Sequence, residues 1–227
     1  MPQPSVPSVG LSVAHLFWKS GPLVDREAAL AALKEADAGD GQVVTAAMLG
    51  HKADLCTMLL DPDQWNLRRT QTRLVAAGLE LVDSYVSMTE ISEYARGVPE
   101  EMRNMRLHPV LPPEGKRAFC FYPMSKKREA HANWFSLPYD DRKALMMDHG
   151  SSGRKFAGRV TQVITGSTGT DDFEWAVTLF CVHPDDVKDV VYTMRFDEAS
   201  ALYAEFGSFY VGMVAEAETV LTEIGIV

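Results

Sequence analysis

Apolar and polar positions along this chain follow two rhythms, period two and period three to four, and the rhythms change in the same order twice. Residues 9–19, VGLSVAHLFWK, are rich in β-branched and aromatic side chains and predict a strand. Asp25 is placed to cap a helix that runs to about Ala38, with Leu30 and Leu33 on one face and Gly39 to Gly41 as its stop. Residues 42–49, QVVTAAML, predict a second strand, and Gly50 and His51 a turn. The run 53–60, ADLCTMLL, fits a strand or a helix start. Strand is the better reading, because Asp61 and Pro62 then serve as N-cap and first residue of a helix reaching Ala77 and Gly78. Residues 79–91 predict a long strand, which completes β-α-β-β-α-β.

A polar segment with four prolines, 92–115, reads as a connection carrying at most a short helix near 100–105. The first order then returns: a strand at 117–123, a helix from Pro138 to His149 stopped by Gly150, strands at 158–166 and 173–182, a helix at 184–192, a second helical piece at 197–206, and a strand at 207–214. The tail 215–227 is a weak strand or helix. Two β-α-β-β-α-β units are the pattern of two ferredoxin-like halves, an α+β fold. Helices cover one face of each sheet, so the other face must be buried, most simply against the sheet of the other half. The expected division is a flexible tail at 1–8, an N-terminal unit at 9–95, a linker at 96–115 and a C-terminal unit at 116–227.

Composition narrows the function. The 227 residues are 46% hydrophobic and 23% charged, an ordinary globular balance, with a net charge of -9. An acidic chain is a poor general partner for nucleic acid. No apolar run is long enough to span a bilayer, and the opening MPQPSVPSVG has neither the basic nor the apolar region of a secretory signal. Cys56, Cys120 and Cys181 are odd in number, far apart and set in apolar runs. They read as reduced core thiols of a cytoplasmic protein.

The candidate chemistry is concentrated in 116–163. If the strand at 117 continues to Lys126, then Tyr122, Met124 and Lys126 share one sheet face and Phe121 points to the other. A phenol beside an ammonium suits a buried anion; alternatively Tyr122 ends the strand and Lys126, Lys127 and Arg128 form a solvated turn. His149 shares a helix face with Arg142, Leu145 and Met146. It is either a helix-terminal histidine favoured by the macrodipole or a single axial ligand, which is all a heme iron requires. Gln162 alternates with Val160 and Ile164 and, on an apolar face, needs a partner. Arg195 and Arg106 are surface groups or carboxylate clamps. Phosphate-loop, dinucleotide, GxSxG and HExxH motifs do not occur.

The segments FYPMSKKR, NWF-x-LP, MMDHG-x-x-GRKFAGRVTQ, ITGS-x-G-x-DD-x-EW-x-VTLF and MRFDEASA-x-YAEFGSFYVG resemble the chlorite-dismutase-like family, and within it the coproheme decarboxylases of the Firmicutes type. The resemblance is densest between about Arg106 and Gly212. It implies two ferredoxin-like units in one α+β barrel, a homopentamer, and an iron porphyrin held by the C-terminal half. By the same resemblance His149 is the axial iron ligand, Tyr122 the reacting tyrosine and Lys126 its associated lysine. Met124 and the distal Gln162 line the substrate, Arg195 and Ser200 hold propionates, and Arg106 and Tyr85 are further propionate contacts. Chlorite-degrading members carry arginine at the distal position, so Gln162 argues against chlorite. The actinobacterial decarboxylases have a YPFVRS-like stretch and a distal histidine; this chain has YPMSKK, and His108 lies near where that histidine would align. The implied reaction is peroxide-dependent oxidative decarboxylation of iron coproporphyrin III (coproheme) to heme b. The alternatives are a porphyrin-binding or delivery protein without chemistry, and a chlorite dismutase or peroxidase on the same fold.

Overall fold

The first six elements form in the expected order: β1 (Ser12–Lys19), α1 (Arg26–Ala36), β2 (Gln42–Met48), β3 (Leu55–Asp61), α2 (Gln64–Ala76) and β4 (Glu80–Thr89). In this computed structural model residues 2–95 and 97–227 are described. Met1, at the head of the expected tail, and Arg96, at the start of the expected linker, lie outside them. Asp25 caps α1 by accepting from the Ala28 N–H. The cap of α2 is Asp63, not Asp61. Asp61 still belongs to β3, paired with Ser12, and its carboxylate accepts from the Asp63 N–H and the Asn66 amide. The connection holds a 3-10 turn at Glu93–Ala95 and the helix α3 (Glu100–Leu107).

The second half comprises β5 (Ala118–Lys126), a two-residue pair β6 (Arg128–Glu129) and β7 (Ala132–Asn133), a 3-10 turn at Trp134–Ser136, α4 (Tyr139–Arg154), β8 (Val160–Gly166), β9 (Trp175–Cys181), α5 (Pro184–Met194), α6 (Glu198–Ala201), β10 (Ala204–Phe206), β11 (Tyr210–Val214) and α7 (Ala217–Glu223). Three boundaries differ from expectation. β5 runs on to Lys126. The second helical piece is a single turn, because residues 204–206 leave it to pair with β5. The tail takes the helical of its two readings and is no departure. α4 passes through Gly150 and ends at Arg154, so His149 lies inside the helix rather than at its end. A glycine only weakens a helix, by about 1 kcal/mol relative to alanine. Gly150 is not among the glycines with positive φ that a C-cap would use.

The two halves join edge to edge instead of stacking as separate sheets. The strand order is β10-β5-β11-β2-β3-β1-β4-β8-β9, and β9 pairs back onto β5, which closes a barrel. Closure leaves the main strands without free edges. Phe17, Met58, Phe119, Phe121, Phe180 and Tyr210 fill the interior. Outside, α1 and α2 cover the N-terminal sheet through Leu30, Leu33, Leu67 and Leu74 packed on Leu16, Trp18, Leu55 and Leu59. Each fully buried side chain of this size contributes roughly 1.5–3 kcal/mol. Cys56, Cys120 and Cys181 are free and buried, as expected.

Candidate functional site

Strand alternation on β5 decides which side chains meet. Phe119 and Phe121 point into the barrel, so Ala118, Cys120, Tyr122, Met124 and Lys126 point outward. Register carries that outer face across β9 to β8: Tyr122 opposes Val177, which opposes Ile164, and Cys120 opposes Leu179, which opposes Gln162. Tyr122 and Gln162 therefore lie on one face, two strands apart, roughly 10 Å across the sheet. The face is covered over β5 and β9 and open over β8, where Gln162 is exposed and Ile164 is 45% exposed. The Gln162 amide thus faces solvent rather than the buried partner expected for it.

Tyr122 is 8% exposed, stacked on Phe209 at 4.5 Å and edge-on to Phe206 at 5.7 Å. Among the described residues its hydroxyl has no hydrogen-bond partner. Burial pushes its phenol well above the ordinary range; Cys120 adds to this and the Arg195 guanidinium opposes it. Lys126 is buried, donates to the Ala199 carbonyl at 2.6 Å and sits 4.4 Å from the centre of the Trp134 ring. Burial lowers its pKa to about 8, against the pull of Asp197 and Glu174. Met124 is half-buried between Trp175 and Phe206. Of the basic cluster, only Lys126 belongs to this face; Lys127 is half-buried and Arg128 exposed.

His149 comes from α4, within electrostatic reach of Lys126. Its Nδ1 is 3.0 Å from Asp197 Oδ1 and 3.3 Å from Ser200 Oγ, so Nδ1 is the engaged nitrogen and Nε2 is left to bind elsewhere. A carboxylate on one ring nitrogen fixes the ring and makes the other nitrogen the better metal ligand. Burial lowers the His149 pKa, Asp197 raises it, and the Lys126 charge lowers it. Asp197 also accepts from the Ser200 N–H as the N-cap of α6. A cavity of about 590 Å³ between α4, α5 and α6 reaches Asp197 from the side of Asp148, Ser152 and Lys155.

The sequence-predicted residues divide. Tyr122, Met124, Lys126 and Gln162 share the outer face, and His149 stands with Ser200. Arg195, exposed at the end of α5, lies 5.2 Å from the Phe206 ring and within electrostatic reach of Tyr122. Ser200 Oγ is directed to His149 and Asp197. Arg106 is exposed on α3 and makes no hydrogen bond or ion pair among the described residues. Tyr85 is on the inner barrel face, bonded through its hydroxyl to Ser167 at 2.6 Å, and does not reach the others. His108 lines a separate cavity with Leu11, Asp40 and Gln42 of the N-terminal unit. Sequence reading missed Asp197 and Trp134. Asp197 carries a signal, an aspartate three residues before a serine at a helix start; Trp134 stands in the NWF-x-LP segment, which marks it without giving its place under Lys126.

An α+β barrel of two fused ferredoxin-like halves, with a carboxylate-held histidine in the helix layer of the second half, defines the class. The chain belongs to the chlorite dismutase family, whose model matches residues 25–215. A protein of Natronomonas pharaonis named for heme binding is 39% identical over 95% of this chain; the match spans only 41% of that relative's length. The structure of a heme-binding protein from Thermus thermophilus superposes with a TM-score of 0.85 and 36% identity, covering 99% of this chain and all of the other. A variant chlorite dismutase from Candidatus Nitrospira defluvii shares the fold at a TM-score of 0.77 and 18% identity, covering 96% and 97%. Among the described residues no helix is long and apolar enough to cross a membrane.

Proposed function

We propose that this protein binds iron coproporphyrin III between α4 and the outer face of β5, β9 and β8, and converts two of its propionates to vinyl groups with hydrogen peroxide. One observation carries the site. α1 and α4 hold the same place in the two halves, yet α1 buries Ala29, Leu30, Ala32 and Leu33 against its sheet while α4 buries none of its side chains and packs on α5 and α6. A flat apolar ring between α4 and the sheet would do for the second half what those four side chains do for the first.

The residues fit such a ligand. His149 Nε2 would bind the iron, with Asp197 holding the ring and Ser200 supporting that pair. Ile164, exposed on β8, and half-buried Met124 offer apolar surface, and Gln162 a neutral amide on the distal side. Arg195, Lys126 and Arg106 would neutralise propionates, whose unpaired burial costs several kcal/mol each. Bound iron coproporphyrin supplies, with peroxide, the power to remove two electrons from each propionate. Per propionate, one peroxide and one proton are consumed, and the side chain leaves as vinyl, carbon dioxide and two waters. Tyr122, kept as a neutral phenol by burial, would give up a hydrogen atom and then take one from the propionate β-carbon; the second electron and carbon dioxide follow. Its ring neighbours are phenylalanines, which do not drain an oxidised phenol. Lys126 would hold the reacting carboxylate. The homopentamer implied by the family resemblance belongs to the same proposal.

The relatives named for heme binding favour a second reading, carriage of a porphyrin without chemistry, which needs His149 and the cations but not Tyr122. Titrating the loaded protein with peroxide while following porphyrin mass separates the two. Two successive losses of one formic-acid equivalent are expected, and Tyr122→Phe should bind normally and lose at least 100-fold in conversion, about 2.7 kcal/mol of barrier. Unchanged mass with intact binding would establish the carrier.

A further inference from the structure

We propose that Trp134, Tyr94 and Tyr139 form an exit route that carries a surplus oxidising equivalent from the porphyrin site to the protein surface. The proposal rests on reading the site as one where a bound porphyrin is oxidised. Aromatic rings around the site are sorted by kind. Among the described residues the rings touching Tyr122 are Phe206 and Phe209. Trp134, on the far side of Lys126, touches tyrosines: Tyr203 at 5.4 Å and Tyr94 at 6.4 Å. Tyr94 stacks on Tyr139 at 5.8 Å with the planes 21° apart. Among the described residues no further oxidisable ring lies beyond Tyr203, so the branch through Tyr94 is the one that continues. Exposure rises along it, from 2% at Trp134 through half-buried Tyr94 to 36% at Tyr139.

The three rings come from separate segments: the turn before α4, the connection after β4, and the first residue of α4. Polar contacts hold them together. Arg142 Nε donates to the Tyr94 hydroxyl at 3.0 Å and Nη1 to the Leu137 carbonyl at 2.7 Å, while Nη2 lies 3.6 Å from Glu93 Oε1. The Tyr139 hydroxyl donates to the Glu93 carbonyl at 3.2 Å. Arg142 brings the Glu93 carboxylate to the neighbourhood of the Tyr94 hydroxyl, where it can accept the phenolic proton; burial first, and then that carboxylate, favour the protonated phenol. In the transfer, Trp134 loses one electron to the oxidised site. Tyr94 returns one to Trp134 and passes its proton to Glu93. Tyr139 reduces Tyr94, which recovers the proton from Glu93, and the proton of Tyr139 goes to solvent. A thiol or ascorbate in solution finally restores Tyr139 with one electron and one proton. The Lys126 cation over Trp134 opposes charge on that ring, which leaves Tyr122 the favoured donor while a propionate remains to react.

Heme b lacks the two reacting propionates, so the protein loaded with it and treated with peroxide isolates the route. A nitroso spin trap is added, and trapped residues are located by peptide mass mapping. The trap is expected on Tyr139, and its yield there should fall at least fivefold in Trp134→Phe and in Tyr94→Phe, both of which keep an aromatic ring in place. The absorption spectrum, which reports histidine ligation of the iron, is read on every sample. Undiminished trapping at Tyr139 in both variants, or none in wild type with the iron ligated and consuming peroxide, overturns the route and leaves the porphyrin site standing. Failure of wild type to ligate the iron through His149 overturns the site and the route together.

Discussion

At the scale of single residues, Lys126 shows what the site costs the fold. An ammonium that is 6% exposed, with a carbonyl and an indole face as its neighbours, is poorly compensated. Its folded pKa of about 8 lies below the 10.5 of a free lysine. Between those values the unfolded chain binds more protons, so this group makes stability rise with pH from about 8 to 10.5, and its full penalty is present below 8. Lys126→Met should therefore stabilise the porphyrin-free protein at pH 7 by about 2 kcal/mol, or roughly 4–8 °C in Tm. The advantage over wild type should shrink as pH approaches 10.5, which urea unfolding at pH 7, 8.5 and 10 would show. The same variant should lose conversion, a trade of stability for function. Asp197→Asn keeps the oxygen that caps α6 but removes the charge beside His149. Titration of iron porphyrin should then show affinity weaker by about 10–100-fold, with the fold intact by circular dichroism.

At the scale of elements, α4 is where the sequence was hardest to read and where binding should be easiest to see. β1, β3, β5 and β9 were legible as short apolar runs between turns, because both faces of those strands are buried and their side chains are β-branched, aromatic or aliphatic. Lys126 could be placed on the face of Tyr122 from spacing alone, once β5 was taken to continue. The end of α4 was not legible, since Gly150, Ser151 and Gly153 resemble a stop and no buried side chain marks the helix beyond His149. Nor were the pairing of Asp197 with His149 and the placing of Trp134 under Lys126, which join residues far apart in the chain and depend on how α6 and the Trp134 turn dock. A helix held by so few buried contacts opens locally at low free energy. Hydrogen exchange should find amides of α4 much less protected than those of α1 in the porphyrin-free protein. Iron porphyrin should protect α4 and leave α1 unchanged; equal protection of both helices without ligand would contradict the asymmetry on which the site is argued.

At the scale of the whole molecule, the barrel makes one cooperative body of the two halves, and His15 tests it. His15 stands on β1 of the N-terminal half, fully buried, with Nε2 2.9 Å from Thr178 Oγ1 on β9 of the C-terminal half and its ring 4.4 Å from Phe121. Nδ1 is buried and, among the described residues, has no hydrogen-bond partner. Burial depresses its pKa to about 3, against 6.5 for a free imidazole. The unfolded chain alone takes up the proton in that interval, so the contribution of His15 to stability is present above pH 6.5 and is lost as pH falls towards 3, by about 1.4 kcal/mol per unit. Replacing His15 with glutamine keeps an amide within reach of Thr178 and removes the titration. Between pH 6.5 and 5 wild type should lose about 2 kcal/mol more than His15→Gln in urea unfolding. Because the histidine ties β1 to β9 inside a closed sheet, the loss should appear as one transition. Fluorescence, dominated by tryptophans of both halves, and far-ultraviolet circular dichroism should give coincident curves at every pH. Separate transitions would mean that the halves fold as independent units joined at their edges.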